Sequence, residues 1–82
     1  MVLVVNEWEE LKGYISNYPM AEIFYKVDFL DEERSRLRVL SGRLGFDQLI
    51  KDKEQLEAMV RFLDERGGKA IVNQRDDDTF FL

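Results

Sequence analysis

The sequence predicts an α+β fold, an antiparallel sheet with two helices packed on one of its faces. Three observations predict it. Apolar and polar residues alternate from Ala21 to Leu30 and again over Arg34–Ser41, with a polar turn between, which marks a long hairpin. On either side of that hairpin stand apolar residues at helical spacing, within 8–18 and 56–63. Beyond those stretches lie β-rich segments, 1–5 and 69–74.

Met1-Val2-Leu3-Val4-Val5 is apolar at every position, the pattern of an interior strand covered on both faces. Asn6 is a suitable helix N-cap, with Glu9 three positions on as in a capping box. Trp8, Leu11, Ile15 and Tyr18 form the apolar stripe of the first helix, which Asn17-Tyr18-Pro19 ends, because a residue before proline avoids helical angles. In the hairpin, Ala21, Ile23, Tyr25, Val27 and Phe29 take one face, with Leu37 and Val39 of the return strand. Asp31-Glu32-Glu33-Arg34 is the turn. A three-residue loop would set Asp31 opposite Ser35, Phe29 opposite Leu37, Val27 opposite Val39 and Asp28 opposite Arg38.

Ser41-Gly42-Arg43-Leu44-Gly45 leads out of the hairpin with two glycines for a bend. Asp52 opens a helix over 52–66, extended back to Asp47 if that aspartate caps it first. Leu56, Met59, Val60 and Leu63 are its stripe, and Gly67-Gly68 is its stop. Lys69–Gln74 reads as a strand, Arg75–Asp78 as a turn, and Thr79–Leu82 as a further short strand.

The resulting order, β-α-β-β-α-β, is the split βαβ pattern of ferredoxin-like folds, in which both helices cover one sheet face and the first strand lies centrally. Residues 1–82 are read as one domain, since 82 residues bound no more than that. The helix-free face would carry Glu22, Phe24, Lys26, Asp28, Leu30, Arg36, Arg38 and Leu40. Such a mixture of apolar and charged residues points to a covered face, the cover being a second copy, the Phe80-Phe81-Leu82 tail or another protein.

Composition excludes much chemistry. The chain has no cysteine and no histidine, so disulfides, cysteine and histidine zinc ligands, thiolates and imidazole bases are all absent. Consecutive Asp76-Asp77-Asp78 lacks the alternate spacing of a calcium loop and reads as a turn. Gly67-Gly68-Lys69 ends a helix and is followed by Ala70, unlike a phosphate loop. The acids mostly fall on solvated helix faces, with no nucleophile–base pair beside them. The expectation is no enzyme, no cofactor, no metal and no small-molecule substrate. Glu7, Glu9 and Glu10 follow the first apolar residues, and no run approaches a membrane span, so a cytoplasmic protein is expected.

Charge is unevenly spread. The formal net charge is −5, yet residues 34–53 hold six bases against two acids. This suits a small acidic interaction module that self-associates as a homodimer or docks a protein partner as a regulator or inhibitor. The partner-binding candidates are Phe24, Lys26, Arg36, Arg38, Leu40, Phe80 and Phe81. The acidic helical face is a second docking candidate, for a basic partner. The alternative function is single-stranded nucleic-acid binding, with bases on Phe24 and phosphates on the arginines. RNA-recognition domains are similar in element order, but their third strand carries Gly-aromatic residues, and Arg34–Ser41 has no aromatic.

Overall fold

A computed structural model describes residues 3–71. It holds strand β1 (Leu3–Val5), helix α1 (Trp8–Asn17), strands β2 (Ile23–Phe29), β3 (Ser35–Ser41) and β4 (Leu44–Ile50), helix α2 (Lys53–Glu65) and strand β5 (Lys69–Ala70). The α+β class stands, with five strands and two helices. The ferredoxin-like arrangement is not what the strands show. Their order across the sheet is β1-β4-β3-β2-β5, and the sheet is mixed. β2, β3 and β4 form an antiparallel meander, while β1 runs parallel to β4 and β5 parallel to β2.

The additional strand is β4. Its core-side residues Leu44, Phe46 and Ile50 alternate as a strand requires, and the sequence reading turned Asp47 into a helix cap instead. Gly42 and Arg43 make the two-residue link from β3. Gly42 has φ +60° and Arg43 does not share the positive φ, the pattern of a type II′ hairpin turn. With the meander occupying the centre, β1 becomes an edge strand and not an interior one. Leu3 and Val4 are accordingly 64% and 50% exposed.

Both helices connect parallel strands, β1 to β2 and β4 to β5, and both connections cross the sheet in the same direction. Connections of one hand then place both helices on the same face. Leu11 and Ile15 of α1 and Leu56, Met59 and Leu63 of α2 pack with Ile23, Tyr25, Leu37, Val39, Leu44, Phe46 and Ile50 in one core. Trp8 joins the layers, meeting Phe46 of β4 and Phe62 of α2 edge-on, with centroids 5.9 and 5.5 Å away.

The helix ends differ in how they are made. Asn6 is not the cap of α1. Glu7 occupies that position without a side-chain cap bond, and Asn6 Oδ1 accepts from Gln48 Nε2 at 3.4 Å. Tyr18 stays exposed and leans on Tyr14 instead of extending the buried stripe. For α2 the Asp52 cap is real, its carboxylate accepting the Glu54 amide at 2.9 Å. At the other end the Gly68 amide donates to Leu63 and the Gly67 amide to Asp64, with Gly67 at φ +80°. That is a Schellman ending.

The hairpin register is shifted by two residues from the expected one. Phe29 pairs with Ser35, Val27 with Leu37 and Lys26 with Arg38. A longer loop causes this. Asp31 Oδ1 accepts the amides of Glu33 and Arg34 at 2.9 and 2.8 Å, and the Arg34 carbonyl accepts from Leu30. Asp31 therefore folds the loop on itself and cannot pair with Ser35. A two-residue shift returns every side chain to its expected face.

Candidate functional site

Two surfaces carry candidate functional residues. The first is the sheet face opposite the helices. Register fixes it as three rows: Val4, Gly45, Leu40, Phe24 and Lys69; then Asp47, Arg38 and Lys26; then Leu49, Arg36 and Asp28. The structure therefore brings Phe24, Lys26, Arg36, Arg38 and Leu40 together on one face. Phe80 and Phe81 lie outside the described residues, as does the strand expected over 72–74, the Asp76–Asp78 turn and the terminal strand.

Charges on this face are neutralised in place. Arg36 Nε donates to Asp47 Oδ1 at 2.8 Å, and a second guanidinium nitrogen reaches Oδ2, a bidentate pair. Arg38 donates to Asp28 Oδ2 at 2.7 Å, and Lys26 Nζ lies 3.9 Å from the same carboxylate. The Asp28–Arg38 contact expected directly across the hairpin thus forms diagonally. The Arg36 guanidinium holds the Asp47 carboxyl below its ordinary value, against the opposing effect of burial. Lys26 is only 8% exposed and the Arg38 side chain only 12%. These cations do not stand in water. Phe24 and Leu40 are half-buried.

The second surface is a groove of about 720 Å3 on the helix side of the sheet, open along one side. One wall is a stripe of α2 that runs its whole length: Lys53, Leu56, Glu57, Val60, Arg61, Asp64 and Glu65. The other wall is the far end of the hairpin, Val27, Phe29 and the loop Asp31-Glu32-Glu33, with Ser35 and Ile50 beneath. Val27, Ile50, Leu56 and Val60 make its floor apolar. Phe29 stands at its lip and is 78% exposed, although its parity marked it as a core residue.

The rim is acidic. Asp31, Glu32, Glu33, Asp52, Glu57, Asp64 and Glu65 line the groove against Lys51, Lys53 and Arg61, seven acids to three bases. Three acids have internal duties. Asp31 closes the loop and holds Arg34, Asp52 caps α2, and Asp64 accepts the Tyr25 hydroxyl at 2.5 Å. Burial and that aspartate push the Tyr25 hydroxyl up to about 12. Glu32, Glu33 and Glu57 carry no ion pair among the described residues, so their charge is available at the surface.

Sequence reasoning named the sheet face and treated the acidic helix face only as a general docking candidate. It missed Phe29 and Asp47. Phe29 sits at the strand's end, where the alternation continues but the helices no longer cover it. No periodicity reports that. Comparison of the chain with protein-family models, with curated proteins and with solved structures returned no match. Among the described residues no helix is long and apolar enough to cross a membrane, and no cluster of acids is arranged to hold a metal ion.

Proposed function

We propose that this protein is a small non-catalytic interaction module of the cytoplasm that docks a protein partner in the groove between α2 and the β2–β3 hairpin. One observation carries the reading. An apolar floor with an exposed phenylalanine at its lip is ringed by seven carboxylates, of which Glu32, Glu33 and Glu57 carry no ion pair among the described residues. Isolated exposed apolar residues need no explanation, but an apolar trench inside a charged rim has the anatomy of an interface core and rim. Support for a non-catalytic role is chemical. The chain lacks thiol and imidazole, and among the described residues the two carboxyls whose pKa moves, Asp31 and Asp47, both move down, away from a general acid's range.

The sheet face serves this proposal less well. Its arginines already hold carboxylates, and a nucleic acid would have to displace Asp28 and Asp47 to gain phosphate contacts. Self-association is proposed as a separate property, through the outer edge of β1, which pairs only with β4 among the described residues.

The test is site-specific photo-cross-linking, with p-benzoylphenylalanine at position 29 of the full chain in its native cells. The expected result is a discrete protein adduct that disappears when Glu32 and Glu33 are both reversed to lysine. No adduct at position 29, with a discrete one at position 24 or 40, would move the docking site to the sheet face.

A further inference from the structure

The kind of partner can be read from the groove. We infer that its occupant is a basic amphipathic helix of about three turns, contributed by a different protein; this rests on the docking reading above.

Length comes first. The α2 stripe spans Lys53 to Glu65, which at about 1.5 Å per residue makes a trench of about 18 Å. A helix of about 12 residues laid along α2 fills that length and presents apolar anchors at i, i+3 or i+4, and i+7.

Backbone chemistry favours a helix over an extended peptide. The wall that runs the length of the trench is α2, whose amides and carbonyls bond internally, so an extended occupant laid along it would bury its own backbone groups unpaired. Among the described residues, strand pairing is open only at the end of β2, where Val27 and Phe29 lie beyond the two residues paired with β5. A helix brings its bonds with it.

Charge selects the sign. The seven-to-three excess of acids in the rim favours a cationic polar face beside the apolar stripe. Glu32 and Glu33 stand on the hairpin wall and Glu57 and Glu65 on the α2 wall, so cations on both flanks of the incoming helix are met.

Neither helix among the described residues of a second copy suits this role. α1 holds Glu9 and Glu10 against Lys12, and α2 holds Glu54, Glu57, Asp64 and Glu65 against Lys53 and Arg61. Both are acidic, and both apolar stripes are already spent in the core.

The experiment titrates the full protein with three synthetic 14-residue peptides, by fluorescence anisotropy and amide NMR shifts. One places leucine at helical spacing among lysines. The second has the same composition with leucine at every other position. The third replaces lysine by glutamate in the helical order. The expected result is that the first binds at least tenfold tighter than either other, with shifts mapping to α2 and residues 27–35. Phe29→Ser, at an exposed position that does not threaten folding, should weaken it about tenfold, as should Glu32→Lys with Glu33→Lys. Glu9→Gln with Glu10→Gln, on α1, should leave it unchanged.

Equal binding of the alternating peptide, shifts outside the groove, or no binding by any peptide would overturn the helix proposal. If position 29 still cross-links a protein in cells, that failure belongs to the helix alone. If both experiments fail, the docking reading fails with it.

Discussion

Two side chains report the state of this fold through pH. Tyr25 donates to Asp64, tying β2 to α2, and its hydroxyl titrates near 12 in the folded protein against about 10 when unfolded. Folding therefore favours the protonated form. The stabilisation is complete below pH 10 and is lost as pH rises from 10 to about 12, where the unfolded chain ionises first. Tyr25→Phe should cost about 1 kcal/mol at neutral pH, the usual net worth of a hydrogen bond. It should also flatten the alkaline fall in stability, which urea midpoints between pH 9 and 12 will show. Asp47 works at the opposite end of the scale. Arg36 depresses its pKa, so its contribution is present above the ordinary carboxylate value and lost as pH falls through the folded one. Both partners are partly exposed, so solvent screening holds Asp47→Asn to about 1 kcal/mol or less at pH 7. That difference should vanish in acid. The Asp28–Arg38 pairing was legible from strand parity alone. Asp47 was not, because an aspartate before apolar residues reads equally well as a cap.

Among the elements, α2 was the most legible. Asp52, the stripe Leu56, Met59, Leu63 and the double glycine give its start, buried face and stop. The two glycines do different jobs. Gly67 supplies a positive φ, which costs other residues about 1 to 2 kcal/mol. A Cβ on Gly68 would sit 2.7 Å from the Leu63 carbonyl oxygen, a backbone atom that cannot move without loosening the last turn. Gly67→Ala should therefore cost about 1 kcal/mol, and Gly68→Ala at least as much, measured by urea denaturation. Hydrogen exchange should quicken at the Gly67 and Gly68 amides in both variants. β4 was the least legible element. Its alternation Leu44, Phe46, Ile50 is broken by Gln48 on the core side and Leu49 on the outer side, so seven residues fit neither period cleanly. Missing β4 displaced β1 from edge to centre. The hairpin survived a two-residue error in register because the strand period is two, so the expected sheet-face residues still share a face.

At the scale of the whole molecule, charge tells apart two of the places where the described residues leave apolar surface exposed. The groove lip, with Phe29, is ringed by acids; the β1 edge, with Leu3 and Val4, holds no charged residue in the strand. Edge strands usually carry charges or irregularities that prevent pairing with another chain, and β1 has none. The groove repels a second copy of a chain whose net charge is −5, while the β1 edge does not. We therefore assign the proposed self-association to β1, by antiparallel pairing of two edges that would extend the sheet, and the proposed partner docking to the groove. Light scattering over a concentration series should show a dimer that Val4→Lys returns to monomer and Phe29→Ser leaves intact. Salt separates the two surfaces again. Raising ionic strength from 0.01 to 1 M shortens the screening length from about 30 to about 3 Å, which should weaken binding of a basic helix and leave an uncharged strand pairing standing. A dimer lost on Phe29→Ser and strengthened by salt would instead place self-association in the groove. The acidic rim would then be a barrier to be screened, and the groove's occupant would be another acidic chain.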